Sequence, residues 1–441
     1  MQLGGRLAAA IEILENIESR RLPVAQTLKD WGQANRFAGS ADRAAIGNVV
    51  YDTLRHRSFL AAQMADPSPR AAVLAAMHWL PGYLDIGELD FDGDPYAPPP
   101  PTPAEQIAFQ RGLPNAATPA QRANAPEWLW PSLTRVFGDF TEAEVGAFAA
   151  RAPLDLRLNP LGSKPPRVDK ALGRHKPLRD PAFPLLRRIP QSEGFQRTPQ
   201  IVMEQAYQKG WVEVQDAGSQ MMAEWAVAGM RIKTAFDLCA GAGGKTLALS
   251  AFQGGKGQIF AHDIDRKRMA DLWPRVKRSG AHNIQIIDPD DLADHQITAT
   301  GVDCVVVDAP CSGTGTWRRH PDTKWRLTEK SLQTRIAEQD TVLQQAAPFV
   351  KPGGRLVYIT CSVLAEENED RLVPFLSHHG DFRTLSAKDL QTNLARKTKP
   401  GFHPSIATAG FSVGDLGLRL TPLASGTDGF YLAVLERSKP S

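Results

Sequence analysis

The second half of the chain alternates short apolar strands with amphipathic helical segments, and this alternation restricts the fold more than any other feature. Strands are predicted at Ala235–Cys239, Gln258–His262, Ile284–Ile287, Cys304–Val307 and Arg355–Ile359. The segments between them, such as Arg266–Arg278 and Leu332–Phe349, carry apolar residues at helical spacing. Strands joined by helices form parallel sheets with both faces covered, so the pattern predicts an α/β domain.

A glycine-rich turn follows the first of these strands, at the place where α/β proteins bind nucleotide-like ligands. The turn consists of Cys239, Ala240, Gly241, Ala242, Gly243, Gly244 and Lys245. A dinucleotide fingerprint would need a glycine where Thr246 stands, and a phosphate-binding P-loop would need one at Cys239. The second strand ends at Asp263, whose carboxylate can accept both ribose hydroxyls of an adenosine. A glycine turn with this carboxylate and without a diphosphate loop suggests S-adenosylmethionine as the cofactor.

The four cysteines all lie in this half of the chain, and none forms a Cys-x-x-Cys pair. A disulfide scaffold and a zinc site are therefore disfavoured. Cys304 is predicted to lie in the core, and the Cys239 thiol is also predicted to be structural. Cys311 and Cys361 follow the fourth and fifth strands. Because parallel strands end at one edge of a sheet, these two thiols are expected near each other and near the cofactor.

Two free thiols beside a methyl donor suggest covalent catalysis on cytosine. C5 of cytosine is a poor nucleophile, and a thiolate that adds to C6 makes C5 enamine-like. Asp308, three residues before Cys311, is placed to contact the ring at N3. A base must then remove the C5 proton. Because a free cysteine has a pKa of about 8.5, nearby positive charge or a helix start would help the attacking thiol ionise.

In these motifs the chain resembles the RsmB/Fmu and NOP/Sun family of RNA cytosine-C5 methyltransferases, over about Trp211–Arg437. The resemblance is carried by Val214–Gln220, the glycine turn, Asp263, Asp308–Ser312, Arg318–Trp325 and Thr360–Asn368. It implies a class I, Rossmann-like methyltransferase domain with a mostly parallel sheet that binds S-adenosylmethionine. The glycine turn departs from the family pattern, since Gly241 and Ala242 replace alanine and proline.

The resemblance also implies roles for single residues. Cys361 is expected to be the nucleophile, Cys311 the second thiol that assists product release, and Asp308 the group that contacts the base. Lys245 is expected to anchor the cofactor loop or the base. The expected cofactor contacts are the turn from Cys239 to Lys245, Asp263, Asp308, and a carboxylate after the third strand, for which Asp288 and Asp290 are alternatives.

The first part of the chain is predicted to be helical, with helices at Leu7–Ile17, Val24–Ala34 and Ser40–Arg55. The start of the chain is similar to a NusB-like helical RNA-binding domain, through Asp42-Arg43 and Val49–Arg55. An acidic, proline-rich segment, with four prolines at 98–101, interrupts this similarity. The predicted domains are 1–145, helical and NusB-like with a proline-rich insertion; 146–210, a small basic α+β subdomain that faces RNA; and 211–441, the methyltransferase domain.

Positive charge is concentrated locally, although the chain has 51 Lys and Arg against 48 Asp and Glu. Residues 151–190 hold ten basic and three acidic residues, an excess of seven. Such a local excess favours a surface that contacts the phosphates of RNA. The residues expected to contact RNA are Arg174, Lys176 and Arg179 in this segment, and Arg318, Arg319 and Lys324 beside the site.

An rRNA substrate, 16S rRNA, is expected, with tRNA as the alternative. A DNA cytosine methyltransferase is disfavoured because it would attack with Cys311 and leave Cys361 without a role. The third alternative is a NusB-like RNA-binding factor with an inactive methyltransferase domain, against which the intact Asp308, Cys311 and Cys361 argue. No apolar run approaches the roughly 20 residues of a membrane span, and no signal-peptide pattern opens the chain. A cytoplasmic protein is therefore expected. It is also expected to be monomeric and to hold no metal.

Overall fold

The computed structural model describes residues 1–84, 86–91, 93–111, 117–181, 183–390 and 411–439. Its first part is helical, because apolar residues such as Leu7, Ile13 and Ile17 recur at helical spacing and are buried on one face. The helices are α1 (Leu3–Arg20), α2 (Val24–Ala34), α3 (Ser40–Arg55), α4 (Arg57–Met64), α5 (Pro69–Trp79), α6 (Pro103–Arg111), α7 (Pro119–Arg122), α8 (Trp130–Phe137) and α9 (Thr141–Gly146). The three predicted N-terminal helices are confirmed, with α1 longer at both ends.

A small antiparallel sheet follows the helices. Its elements are β1 (Leu154–Leu158), α10 (Pro165–Ala171), β2 (Leu178–Asp180), β3 (Phe183–Ile189), α11 (Gln205–Gln208) and β4 (Val212–Val214). The four strands lie in the order β2-β3-β1-β4. Leu156 and Leu158 of β1 are buried on one side of this sheet, together with Val168 of α10.

The remaining elements alternate as the sequence predicts. They are α12 (Ala217–Ala226), β5 (Thr234–Asp237), α13 (Gly244–Phe252), β6 (Gln258–Ala261), α14 (Leu272–Ser279), β7 (Ile284–Ile286), α15 (Gln296–Thr300), β8 (Val302–Asp308), α16 (Pro321–Arg326), α17 (Glu329–Ala346), β9 (Val350–Thr360), α18 (Glu369–His378), β10 (Phe382–Thr384), β11 (Phe411–Ser412), β12 (Leu418–Leu420), α19 (Pro422–Ser425) and β13 (Phe430–Arg437).

In the described part of the chain, the second sheet has nine strands in the order β11-β12-β13-β9-β8-β5-β6-β7, and β10 pairs with β13. The pairs from β7 through β6, β5 and β8 to β9 are parallel, whereas β13 is antiparallel to β9. The predicted α/β fold with a mostly parallel sheet is thus confirmed. Its carboxyl edge is where β5, β6, β7, β8 and β9 all end.

The central strands β8 and β9 are buried on both faces. Successive side chains point to opposite sides of the sheet, and each side packs into an apolar cluster. Val306, Val357 and Ile359 pack into one apolar cluster, whereas Val305 and Val307 pack into the other. Cys304 belongs to the first cluster and is fully buried, which confirms its predicted place in the core. Packing on both faces fixes the strand ends and hence the loops that follow them.

The described residues divide into two compact units. The helical unit consists of Met1–Ala152, Gln191–Thr198 and Thr316–Leu327, and the sheet unit of Pro153–Pro190, Pro199–Gly315 and Thr328–Ser441. Two short segments from the middle of the chain therefore belong to the helical unit, and the linear domain boundaries stay a prediction. Among the described helices, none has both the length and the apolar character needed to cross a bilayer.

Candidate active site

The two cysteine loops meet at the carboxyl edge of the nine-stranded sheet. Cys311 follows β8 and Cys361 follows β9, which are neighbouring parallel strands. The two Sγ atoms are 3.3 Å apart. The hydrogen bond to Cys361, together with burial, raises the pKa of Cys311 well above its usual range. Either sulfur could be the donor of this hydrogen bond, and the raised pKa means that Cys311 keeps its proton.

A lysine and a carboxylate face each other beside the thiols. Asp308 is the last residue of β8, and the Lys245 Nζ lies 3.2 Å from its Oδ2 atom. Lys245 also donates to the Ser219 hydroxyl at 2.8 Å. The Lys245 side chain is 5% exposed, whereas that of Asp308 is 34% exposed. The buried lysine is thus held in place by Ser219, and the more exposed Asp308 carboxylate remains accessible to a ligand.

Sequence reasoning assigned no role to Ser219 of α12, which holds Lys245, or to Gln215, which precedes this helix. The Gln215 side-chain amide donates to the Ser219 hydroxyl at 3.1 Å and to the Gly244 carbonyl at 3.1 Å. Gln215 and Ser219 lie in the segment Val214–Gln220, whose match to the family was the available signal. They connect the start of α12 to the glycine turn.

The glycine turn lies against the carboxylate of Asp263, two residues after the end of β6. Asp263 is 1% exposed, and its Oδ2 accepts the backbone N–H of Gly241 at 3.0 Å. Gly241 has φ +49° and Gly243 has φ +84°, a region that favours glycine. A Cβ on Gly241 would point toward Arg268 and Asp263, at 3.5 and 3.9 Å. The absence of a side chain at Gly241 therefore leaves space next to Arg268 and the buried Asp263 carboxylate.

Two further groups lie beneath the turn. Asp237, the last residue of β5, is completely buried and accepts the Thr246 hydroxyl at 2.6 Å. Its Oδ1 has no hydrogen-bond partner among the described residues. Burial raises the pKa of Asp237 to about 7. Burial also raises the pKa of the Cys239 thiol, which packs against an apolar cluster, as a structural cysteine does.

The alternatives Asp288 and Asp290 are tied together by one arginine. Arg266 donates to both oxygens of Asp288, with Nε at 3.1 and 3.0 Å, and its Nη2 lies 2.5 Å from Asp290 Oδ2. The hydrogen bonds from Arg266 lower the pKa of Asp288. Asp290 is the more exposed of the two, and Asp288 lies nearer the end of β7. Position therefore favours Asp288, while the choice between them stays a prediction.

Lys324 and Arg318 do not form part of an exposed basic surface. Lys324 is 1% exposed, and its Nζ donates to the carbonyls of Arg55 at 3.1 Å and Asn124 at 2.6 Å. Burial lowers its pKa to about 7. Arg318 is also buried, and its carbonyl accepts the Arg55 Nε–H at 2.9 Å. The expectation of RNA contacts by Lys324 and Arg318 is therefore withdrawn. Arg319 is half-buried and stays a prediction.

The basic segment keeps exposed cations, but its charge is largely compensated. Arg174, Lys176 and Arg179 are all exposed. Arg174 is paired with Glu204, and Arg179 lies 3.2 Å from Asp169. The three remain predicted RNA contacts, with weaker net charge than the sequence count suggests.

Other arginines of this segment are structural. Arg187 pairs with Asp169 at 2.5 Å and Arg188 with Asp155 at 2.7 Å. Arg157 is completely buried and donates to Gln215 at 2.7 Å. The inference of an uncompensated excess is thus wrong, because acids inside and outside the segment pair with its arginines.

Comparison with known proteins gives one family match. The model of the family described as "16S rRNA methyltransferase RsmB/F" matches residues 228–436. A probable ribosomal RNA small subunit methyltransferase B from Synechocystis is 32% identical over 321 residues, which cover 71% of this chain and 67% of that protein. The ribosomal RNA small subunit methyltransferase B of Photorhabdus laumondii is 28% identical, with coverage of 71% and 66%. The aligned region thus spans about two thirds of these relatives.

Two solved structures show the same fold. The crystal structure of PH0851 superposes with a TM-score of 0.70 and 23% identity, and covers 99% of both chains. The structure of NSun6 from Pyrococcus horikoshii with SFG superposes with a TM-score of 0.57 and 17% identity, over 71% of this chain and 99% of that one. At these identities the likeness concerns the fold.

Proposed function

The chain belongs to the 16S rRNA methyltransferase RsmB/F family, and from this membership we propose that it transfers a methyl group to C5 of a cytosine in RNA. The observation that carries the proposal is the pair of free thiols 3.3 Å apart, Cys311 and Cys361, at adjacent strand ends. Beside them lies the Lys245–Asp308 pair. Methylation at C5 needs a sulfur nucleophile, a group that holds the base and a means of release.

S-adenosylmethionine suits the glycine turn and its carboxylates. Gly241 places no side chain of its own beside Asp263, and Asp263, two residues after β6, is an acid of the kind that accepts ribose hydroxyls. The buried, unpartnered Oδ1 of Asp237 adds an acceptor beneath the turn. Arg268, half exposed and 3.3 Å from Asp263, can move away when a ligand enters. When bound, this cofactor supplies an electrophilic methyl group.

Cys361 attacks the base in the proposed reaction. Its thiolate forms a bond from Sγ to C6, and the C5–C6 π electrons become available at C5 for methyl uptake. When Cys361 is a thiolate, the hydrogen bond between the two sulfurs, 3.3 Å apart, has Cys311 as its donor and stabilises the thiolate before attack. The Cys311 thiol thus favours the ionised form of the attacking sulfur.

Asp308 and Lys245 hold the target base. The half-exposed Asp308 carboxylate lies at the end of β8, three residues before Cys311, so it can contact the N3 and amino edge of cytosine. Lys245, fixed by Ser219 at 2.8 Å, keeps Asp308 in place and balances its charge. The cytosine must leave any base stack to reach this edge, as other base-modifying enzymes require.

Cys311 assists release. The C5 proton is removed, the electrons of the C5–H bond restore the C5=C6 double bond, and the Sγ–C6 bond breaks with its electrons returning to Cys361. In the free protein the hydrogen bond and charge of Cys361 help to keep Cys311 protonated. Once Cys361 is bonded to C6 its sulfur is neutral, so this contribution disappears. The Cys311 proton then passes to solvent, and the resulting Cys311 thiolate accepts the C5 proton.

An rRNA of the small subunit is the proposed substrate, because the relatives at 32% and 28% identity carry that name. A tRNA substrate is the second candidate. Bisulfite sequencing of total RNA from cells with and without the gene distinguishes them. We expect one or more protected cytosines in 16S rRNA that become convertible when the gene is deleted. Loss of protection confined to tRNA would support the second candidate, and no loss in any RNA would contradict the function.

A further inference from the structure

Two consecutive buried residues each hold one of the cysteine loops. Glu367 ends a short 3-10 turn, Ala365–Glu367, and Asn368 precedes α18. Both residues are fully buried. Sequence reasoning gave neither of them a role, although both lie in the last motif of the family resemblance. Their hydrogen bonds lead directly to the residues next to Cys311 and Cys361.

Glu367 fixes the residue that follows Cys311. The Ser312 backbone N–H donates to Glu367 Oε1 at 2.7 Å, and the Ser312 hydroxyl donates to Oε2. The Gln339 side-chain amide of α17 donates to Oε1 at 3.0 Å. These described donors are neutral groups, so hydrogen bonds compensate for the burial of the carboxylate. A loop that contributes both a backbone and a side-chain donor is held in one conformation.

Asn368 fixes both neighbours of Cys361. The Thr360 hydroxyl donates to Asn368 Oδ1 at 2.6 Å, and Asn368 Nδ2 donates to the Ser362 carbonyl at 3.0 Å. One amide therefore bridges the residue before the thiol and the residue after it. This bridge determines how Cys361 leaves β9.

The dipeptide is itself anchored to the sheet. The Tyr358 hydroxyl of β9 donates to the Glu367 carbonyl at 2.7 Å. The two loops also contact each other, since the Gly315 N–H donates to the Cys361 carbonyl at 2.9 Å. The hydrogen bond with Cys361 and the burial of the thiol raise the pKa of Cys311, and the negative charge of Glu367 raises it further. The placement of the two sulfurs thus depends on this dipeptide.

We propose that Glu367 and Asn368 are positioning residues with divided roles, Glu367 for the release thiol Cys311 and Asn368 for the attacking thiol Cys361. The inference rests on the proposed function. Each acts through hydrogen bonds to a cysteine loop and touches no reacting atom. Because a displacement of about 1 Å can cost about 10²-fold in rate, loss of either clamp impairs the step of its own cysteine.

In the test, each variant is incubated with S-adenosylmethionine and 16S rRNA that has been transcribed in vitro. Two products are measured: 5-methylcytidine in the RNA, and the protein–RNA adduct on a denaturing gel. Glu367→Ala is expected to accumulate adduct while turnover falls about 10²-fold. Asn368→Ala is expected to lose adduct and product together. Glu367→Gln keeps an oxygen toward the Ser312 N–H and the Gln339 amide, and an N–H toward the Ser312 hydroxyl, so it should restore release.

Glu369→Gln is the matched control, because Glu369 is a neighbouring carboxylate that pairs with Arg419 of β12 and not with a cysteine loop. It should behave as the wild type. If Glu367→Ala and Asn368→Ala lose the same step, or if the folded Glu367→Gln fails as Glu367→Ala does, the divided hydrogen-bond roles are contradicted. If the wild type itself makes no 5-methylcytidine on any RNA, the proposed function fails before the variants are compared.

Discussion

The positions of a few atoms decide whether this edge of the sheet can act. Cys311 and Cys361 are 50 residues apart in sequence, yet their sulfurs are 3.3 Å apart because they follow neighbouring parallel strands. The glycine turn is equally constrained. A Cβ on Gly243 would lie 2.1 Å from Leu272 Cδ1, which is far inside van der Waals contact.

Gly243→Ala is expected to weaken binding of S-adenosylmethionine at least tenfold. The alanine would need φ near +84° and would push Leu272 and the turn apart. Isothermal titration calorimetry measures the affinity. Gly254→Ala is the matched control, because Gly254 has φ +63° and nothing within 4 Å of an added Cβ. It should lose about 1 kcal/mol of stability and keep its affinity. Equal affinities for the two variants would contradict a cofactor site at this turn.

At the scale of elements, the strand–helix order could be predicted, whereas several boundaries could not. The predicted helix Arg266–Arg278 begins only at Leu272. Before it, the Asp263 and Asp265 side chains accept backbone N–H groups two residues on, which holds the chain in turns instead of a helix. β9 begins at Val350, five residues before its predicted start at Arg355. A register shift against β8 accommodates the Pro-Gly-Gly segment of this strand.

Long-range partners explain why some site residues could not be predicted. The sequence shows that Lys324 is basic and near tryptophans, which is typical of a nucleic-acid surface. It does not show that the carbonyls at the end of α3 and near α7 meet the ammonium of α16. The sequence alone could predict that one site contains Cys311, Cys361, Asp308 and Lys245, because strand ends in a parallel sheet share an edge.

Lys324→Met is expected to remove a pH dependence of stability. Burial lowers the pKa of Lys324 to about 7 in the folded protein, whereas the unfolded value is about 10.4. Between these values the unfolded state binds more protons, so stability of the wild type rises with pH, by up to about 1.4 kcal/mol per unit.

Denaturant unfolding between pH 7.5 and 9.5 measures this effect as the difference between wild type and variant. The difference should change with pH for Lys324→Met and stay constant for Lys29→Met, whose lysine is exposed in α2. Parallel stability curves for wild type and Lys324→Met would show that the buried ammonium keeps an ordinary pKa.

At the scale of the whole molecule, the net charge of +3 conceals how charge is used. Most arginines of residues 151–190, which the sequence suggested as RNA contacts, form ion pairs within the protein, such as Arg188 with Asp155. Burial likewise removes Lys324 and Arg318 from the surface. A count of charges along a sequence cannot reveal these pairings, because the partners come from distant segments. The predicted RNA contacts that remain at the surface are exposed cations, among them Lys176.

Lys176→Gln is expected to weaken RNA binding and to reduce the slope of log K against log salt by about one, the effect of one lost phosphate contact. Filter binding at several salt concentrations measures the slope. Lys330→Gln, which removes an exposed lysine from α17, is the control and should keep the wild-type slope. An unchanged slope for Lys176→Gln would exclude this lysine from the phosphate-contacting surface.

The most direct test of the central claim compares covalent protein–RNA adducts formed by cysteine variants on 16S rRNA with S-adenosylmethionine. Attack by Cys361 and release by Cys311 predict a denaturant-stable slow band for Cys311→Ala, which disappears in Cys311→Ala/Cys361→Ala, and no methyl transfer by Cys361→Ala. A band formed by Cys361→Ala, or full methyl transfer by that variant, would make Cys361 dispensable and contradict the account.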